Sequence, residues 1–184
     1  NTEIYNFSIL DALPNLNALD NGIKNFEVDT RITKDLKIVI NHDPHLKEHF
    51  SANNFISDLT LDELKKIKYK NNSAQSILTL DELFDLIKNH KTKPHLFLDV
   101  KEFGLEKIIL QKILSYQLDD SITIISWVPE VLKKIFLLNK NIRLCFSHIP
   151  IGNKARFFFL KTTLNENNIC LKKLLSPLLS RYSE

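Results

Sequence analysis

The chain has 184 residues, 43% of them hydrophobic and 26% charged, with a formal net charge of +3. That is a globular mixture long enough to bury a core, and its basic residues are interspersed with acidic ones rather than gathered into the stripe that nucleic-acid binding needs. No apolar run approaches the ~20 residues of a membrane span, so neither a nucleic-acid partner nor stable membrane insertion is expected.

In chain order, Ile9, Leu10, Leu13, Leu16 and Leu19 predict one or two short helical stretches, and Gly22 fits the left-handed position that ends a helix. Residues 25–30 read as a short strand and residues 37–41 as a second, with the polar stretch Thr33, Lys34 and Asp35 turning between them. Pro44 ends the run after His42 and Asp43. Two helices start at Thr60 and Thr79, each with a glutamate three residues on (Glu63, Glu82), which is a capping-box pattern. A strand follows Pro94 over residues 95–101, then a helix over 105–116, a strand over 121–127 and a helix over 129–138 with Pro129 in its first turn. Residues 142–148, 155–160 and 168–171 read as further strands, and 177–182 as the start of a last helix.

Strands that alternate with helices and are apolar on both faces predict an α/β fold with a parallel sheet covered by helices. Alternation alone does not separate a doubly wound sheet from a barrel, and no strand is followed by the Gly-rich turn of a nucleotide-binding fingerprint. With no low-complexity linker, residues 1–184 read as a single domain. Cys145 and Cys170 sit in apolar runs and are expected to be buried free thiols. Together with the absence of a basic-then-apolar leader, they point to a cytoplasmic location. The chain has no Met and only three glycines, so parts of the fold are expected to lie outside it.

The polar residues at strand ends carry the chemistry. Glu27 and Asp29 alternate on one strand and therefore share a side. Two carboxylates so close repel each other unless a cation lies between them, and oxygen ligands suit Mg2+ or Ca2+; a solvated polar face is the other reading. His42, at the end of the second strand, is a candidate general acid or base, or a loop histidine that caps the strand. Asp99 and Lys101 also share a side, as a third carboxylate beside a cation for phosphate, or as a surface ion pair. These positions are the C-terminal ends of strands, where a parallel barrel builds its active site.

The order and spacing resemble one family. GIKNFEVDTRITKDLKIVINHD, residues 22–43, is similar to the signature of glycerophosphodiester phosphodiesterases: Glu-x-Asp on a strand (Glu27, Asp29), Thr-x-Asp (Thr33, Asp35), then His-Asp (His42, Asp43). ISDLTLDELKKI and ILTLDELFDLI resemble the family's two Thr-x-x-Glu helix starts, and IISW resembles its Ser-Phe strand end. LFLDVK matches its Glu-Ile-Lys strand, with Asp99 in place of Glu. The resemblance implies a (β/α)8 barrel, incomplete in this chain, and one divalent metal, Mg2+ or Ca2+, on Glu27, Asp29 and Asp99. It implies His42 as one of two catalytic histidines and Lys101 and Trp127 as substrate contacts. The reaction would be hydrolysis of a small glycerophosphodiester, such as glycerophosphocholine or glycerophosphoethanolamine, to sn-glycerol 3-phosphate and an alcohol. The family's first strand ends in His-Arg-Gly, and no histidine precedes His42 in this chain. Two other readings follow: a non-catalytic barrel relative that serves as a binding or assembly module, and a phosphodiesterase acting on lysophospholipids.

Overall fold

The computed structural model describes residues 5–6 and 24–147, so the helical stretches expected before Gly22, Cys170 and the elements expected beyond His148 lie outside the described residues. The chain divides into two compact units, residues 1–102 and 103–184.

The first unit is built on β2 (Asn25–Ile32), which pairs in parallel with β1 (Tyr5–Asn6) on one side and with β4 (His95–Val100) on the other. The strand predicted over 25–30 runs two residues further because Thr30, Arg31 and Ile32 pair with β3 (Ile38–Ile40). That pairing is antiparallel, so β3 is the return arm of a hairpin across the turn expected at Thr33, Lys34 and Asp35, beside the parallel pairs of β2 with β1 and β4. The reason is visible in the connection, since residues 33–37 are far too few for a parallel crossover. Alternation along the strands separates two faces: Phe26, Val28, Thr30, Leu96, Leu98 and Val100 are buried on one, and Glu27, Asp29, Phe97 and Asp99 point to the other.

The hairpin turn explains two residues of the sequence signature. The Thr33 hydroxyl donates to Asp35 Oδ1 at 2.6 Å and accepts from the Lys37 amide at 2.9 Å. Asp35 Oδ1 also accepts from the amide of Leu61, 3.0 Å away. Leu61 opens α1 (Leu61–Lys66), so Asp35 ties the turn to the first turn of a helix, where a carboxylate is favoured. Both predicted capping boxes are present. Thr60 and Glu63 cap α1, and Thr79 and Glu82 cap α2 (Leu80–Asn89). Leu80, Leu83, Phe84 and Ile87 form the buried face of α2 at helical spacing.

In the second unit, β5 (Ile122–Ser126) and β6 (Arg143–Phe146) are parallel, with Thr123 beside Arg143 and Ser126 beside Phe146. Between them runs α4 (Pro129–Leu138), and α3 (Glu106–Tyr116) precedes β5. Ile109, Leu110 and Ile113 of α3 and Val131, Leu132 and Ile135 of α4 are buried. Cys145 is buried and free, as expected. No helix among the described residues is long and apolar enough to cross a membrane.

Leu36 closes the hairpin turn with φ +61°, a left-handed conformation that costs a residue with a Cβ about 1 kcal/mol. Its side chain is 62% exposed, so little burial offsets that cost. Leu36→Gly is therefore expected to stabilise the protein by up to about 1 kcal/mol in denaturant unfolding; a destabilised variant would contradict this account of the turn.

Candidate active site

Register brings the carboxylates together. Asp29 and Asp99 are direct partners across the β2–β4 ladder, and Glu27 lies two residues before Asp29 on the same side. One carboxylate oxygen from each of the three lies within 4.8 Å of the others. Lys101, following β4 with the parity of Asp99, bridges two of them. Its Nζ is 2.8 Å from Asp29 Oδ1 and 2.7 Å from Asp99 Oδ2.

Burial and like charge dominate the electrostatics. Glu27 is pushed up from 4.5 to about 8, first by burial and then by the charges of Asp29 and Asp99, against the pull of Lys101. Burial also raises the Asp99 carboxyl, more than the hydrogen bond from Lys101 lowers it. Lys101 itself is raised: burial works against its charge, but its hydrogen bonds to Asp29 and Asp99 outweigh that. One ammonium against three carboxylates leaves the group under-compensated. The buried Asp99 Oδ1 has no hydrogen-bond partner. An all-oxygen donor set, an orphaned buried carboxylate oxygen and a charge deficit fit a hard divalent cation.

The other predicted residues fall in different settings. His42 stands in the loop after β3 with its side chain 67% exposed, and its Nδ1 lies 2.9 Å from Asp43 Oδ1. Trp127, directly after β5, is 55% exposed and belongs to the second unit. A second group, Asp43, Glu48 and His49, also gathers ligand atoms within 4.8 Å. Its electrostatics are opposite to those of the first, because the hydrogen bond with His42 already holds the Asp43 carboxyl below its ordinary value.

Sequence reasoning passed over Arg31 and Glu102. Arg31 has the same parity as Glu27 and Asp29, which was the available signal. Its Nη1 lies 3.2 Å from Glu102 Oε1, and its Nε donates to the His42 carbonyl at 3.0 Å.

A raised carboxyl binds more protons in the folded than in the unfolded state. The stability that protonated Glu27 contributes is thus complete below about pH 4.5 and is lost as pH rises through about 8. With EDTA present, Tm is expected to fall between pH 5 and 8.5 by on the order of 5 °C more in the wild type than in Glu27→Gln. A divalent cation should restore the wild type most at the upper end. Matching wild-type and variant profiles would show that Glu27 is not held protonated.

Residues 16–153 match the model of the glycerophosphoryl diester phosphodiesterase family. A glycerophosphodiester phosphodiesterase of Caldanaerobacter subterraneus subsp. tengcongensis is 29% identical over 118 residues, 60% of this chain and 49% of that protein. One of Bacillus altitudinis is 24% identical over 120 residues, with the same coverage. The chain thus spans about half the length of these relatives. Among solved structures, an Oleispira antarctica phosphodiesterase in complex with the product sn-glycerol-3-phosphate superposes with TM-score 0.66 at 21% identity, over 95% of this chain and 70% of that one. The Thermotoga maritima glycerophosphodiester phosphodiesterase gives TM-score 0.61 at 22% identity, over 79% and 62%. The fold is that of an incomplete TIM-type (β/α)8 barrel, and with three quarters of its length matched by the family model, the chain belongs to the glycerophosphoryl diester phosphodiesterase family.

Proposed function

We propose that the protein hydrolyses small glycerophosphodiesters to sn-glycerol 3-phosphate and an alcohol, and that its two units are parts of one barrel domain. The observation that carries the reading is the convergence of Glu27, Asp29 and Asp99 with Lys101 at the end of the β2–β4 ladder. Family membership and the product bound to the Oleispira protein support the substrate class.

In this reading Glu27, Asp29 and Asp99 hold one Mg2+ or Ca2+. When bound, that ion supplies Lewis-acid polarisation of the phosphoryl oxygen and offsets charge that develops in the transition state. Asp99, one methylene shorter than the family's glutamate, sits in register with Asp29, so both reach the same point from neighbouring strands. Lys101 gives up one of its carboxylate contacts and turns its ammonium to a phosphate oxygen. His42 moves the proton. Its Nδ1 faces Asp43, which fixes the ring and leaves Nε2 to take a proton from the nucleophile or give one to the leaving alcohol. The resemblance alone carries Trp127 as a substrate contact. A cytoplasmic location is retained as part of the proposal.

The test is release of glycerol 3-phosphate from glycerophosphocholine and glycerophosphoethanolamine, with Mg2+, Ca2+ or EDTA, beside Glu27→Ala and His42→Ala. Activity is expected only with a divalent ion, lost in Glu27→Ala and lowered about 10²–10⁴-fold in His42→Ala. A folded protein inactive on all water-soluble diesters would contradict the proposal. Turnover of lysophospholipid micelles in that case would favour the lipid substrate, and none at all the non-catalytic relative.

A further inference from the structure

His42 is mostly solvent-exposed, so packing does not hold it. Its backbone is held instead. Arg31 donates from both Nε and Nη2 to the His42 carbonyl, and its Nη1 pairs with Glu102. On the other side of the same dipeptide, Asn41 Nδ2 donates to the Asp43 carbonyl at 2.6 Å, and the Asn41 amide donates to the Asp29 carbonyl at 3.0 Å. The Arg31 side chain is only 14% exposed and Asn41 is buried, so both links to the His42 loop are enclosed. One guanidinium therefore connects three segments: β2 just beyond Asp29, the loop carrying His42, and the residue that follows Lys101. Only a fork of donors makes this connection, because a lysine ammonium cannot present two parallel N–H groups to one carbonyl and a third to a carboxylate.

We propose that Arg31, anchored by Glu102, is a positioning residue that fixes the His42 backbone relative to the carboxylates of β2 and β4. The proposal rests on the reading of His42 as the group that moves the proton. Arg31 reaches no imidazole atom; it acts through the main chain. A displacement of about 1 Å at a proton-transferring group is enough to cost orders of magnitude in rate.

The experiment compares wild type, Arg31→Ala, Arg31→Lys and Glu102→Gln by kinetics, Tm and the His42 ring resonance in NMR, assigned by its loss in His42→Gln. Arg31→Ala is expected to lower kcat about tenfold or more with KM changed less than about threefold. It should shift the His42 resonance, and added guanidinium ion should recover part of the rate. Arg31→Lys should recover little, and Glu102→Gln should show a smaller change of the same kind. An unmoved His42 resonance in both Arg31→Ala and Glu102→Gln would overturn the proposal. So would a loss of rate that simply tracks a fall in Tm and ignores guanidinium. If Arg31→Ala does not fold, Glu102→Gln carries the same comparison. If the wild type hydrolyses no diester, the reaction reading fails, while the His42 resonance still decides whether Arg31 holds the loop.

Discussion

The site is organised by the mutual repulsion of three carboxylates that register forces together. Two like charges about 4 Å apart repel by on the order of 4 kcal/mol where the effective dielectric is about 20, and burial adds a desolvation cost for each. In the first unit the Lys101 ammonium between Asp29 and Asp99 meets part of the deficit, and burial with the neighbouring charges pushes the Glu27 carboxyl towards its neutral form. In the proposed reading, a divalent cation on these three carboxylates would take over both of these compensations.

The rest of the first unit serves that geometry. The parallel β2–β4 ladder sets Asp29 against Asp99, while the hairpin to β3 brings the chain back so that His42 emerges beside β2 rather than a crossover away. Thr33 and Asp35 shape the turn and dock it on the start of α1, so this part of the family signature is architectural rather than chemical. The opposite face of β2 and β4 is apolar and buried, which locks the register, because a slip of one residue would turn Glu27 and Asp29 into the core.

Much of this was legible in the sequence. The period-2 spacing of Glu27 and Asp29, and of Asp99 and Lys101, gave their shared sides, and the capping boxes at Thr60 and Thr79 marked two helix starts to the residue. The turn between β2 and β3 was read from Thr33, Lys34 and Asp35, while the apolar run of β3 is the same for either strand direction; the five-residue connection held that information. The pairing of Lys101 with Asp99 was one of its two readings, beside a contact to phosphate; its second partner, Asp29, was not read, because that contact forms only across the β2–β4 ladder. Arg31 and Glu102 are 71 positions apart, and no local pattern links a pair that meets only through the β2–β4 ladder.

The most direct measurement is calorimetric titration of the metal-free protein with Mg2+, Ca2+ and Mn2+ at pH 7 in buffers of different ionisation enthalpy. The account predicts one ion per chain with release of about one proton, since a Glu27 carboxyl pushed up to about 8 must ionise to become a ligand. Both the binding and the proton release should be lost in a Glu27→Gln, Asp99→Asn double variant. Binding that is undiminished in that variant, or no binding by the folded wild type, would contradict it.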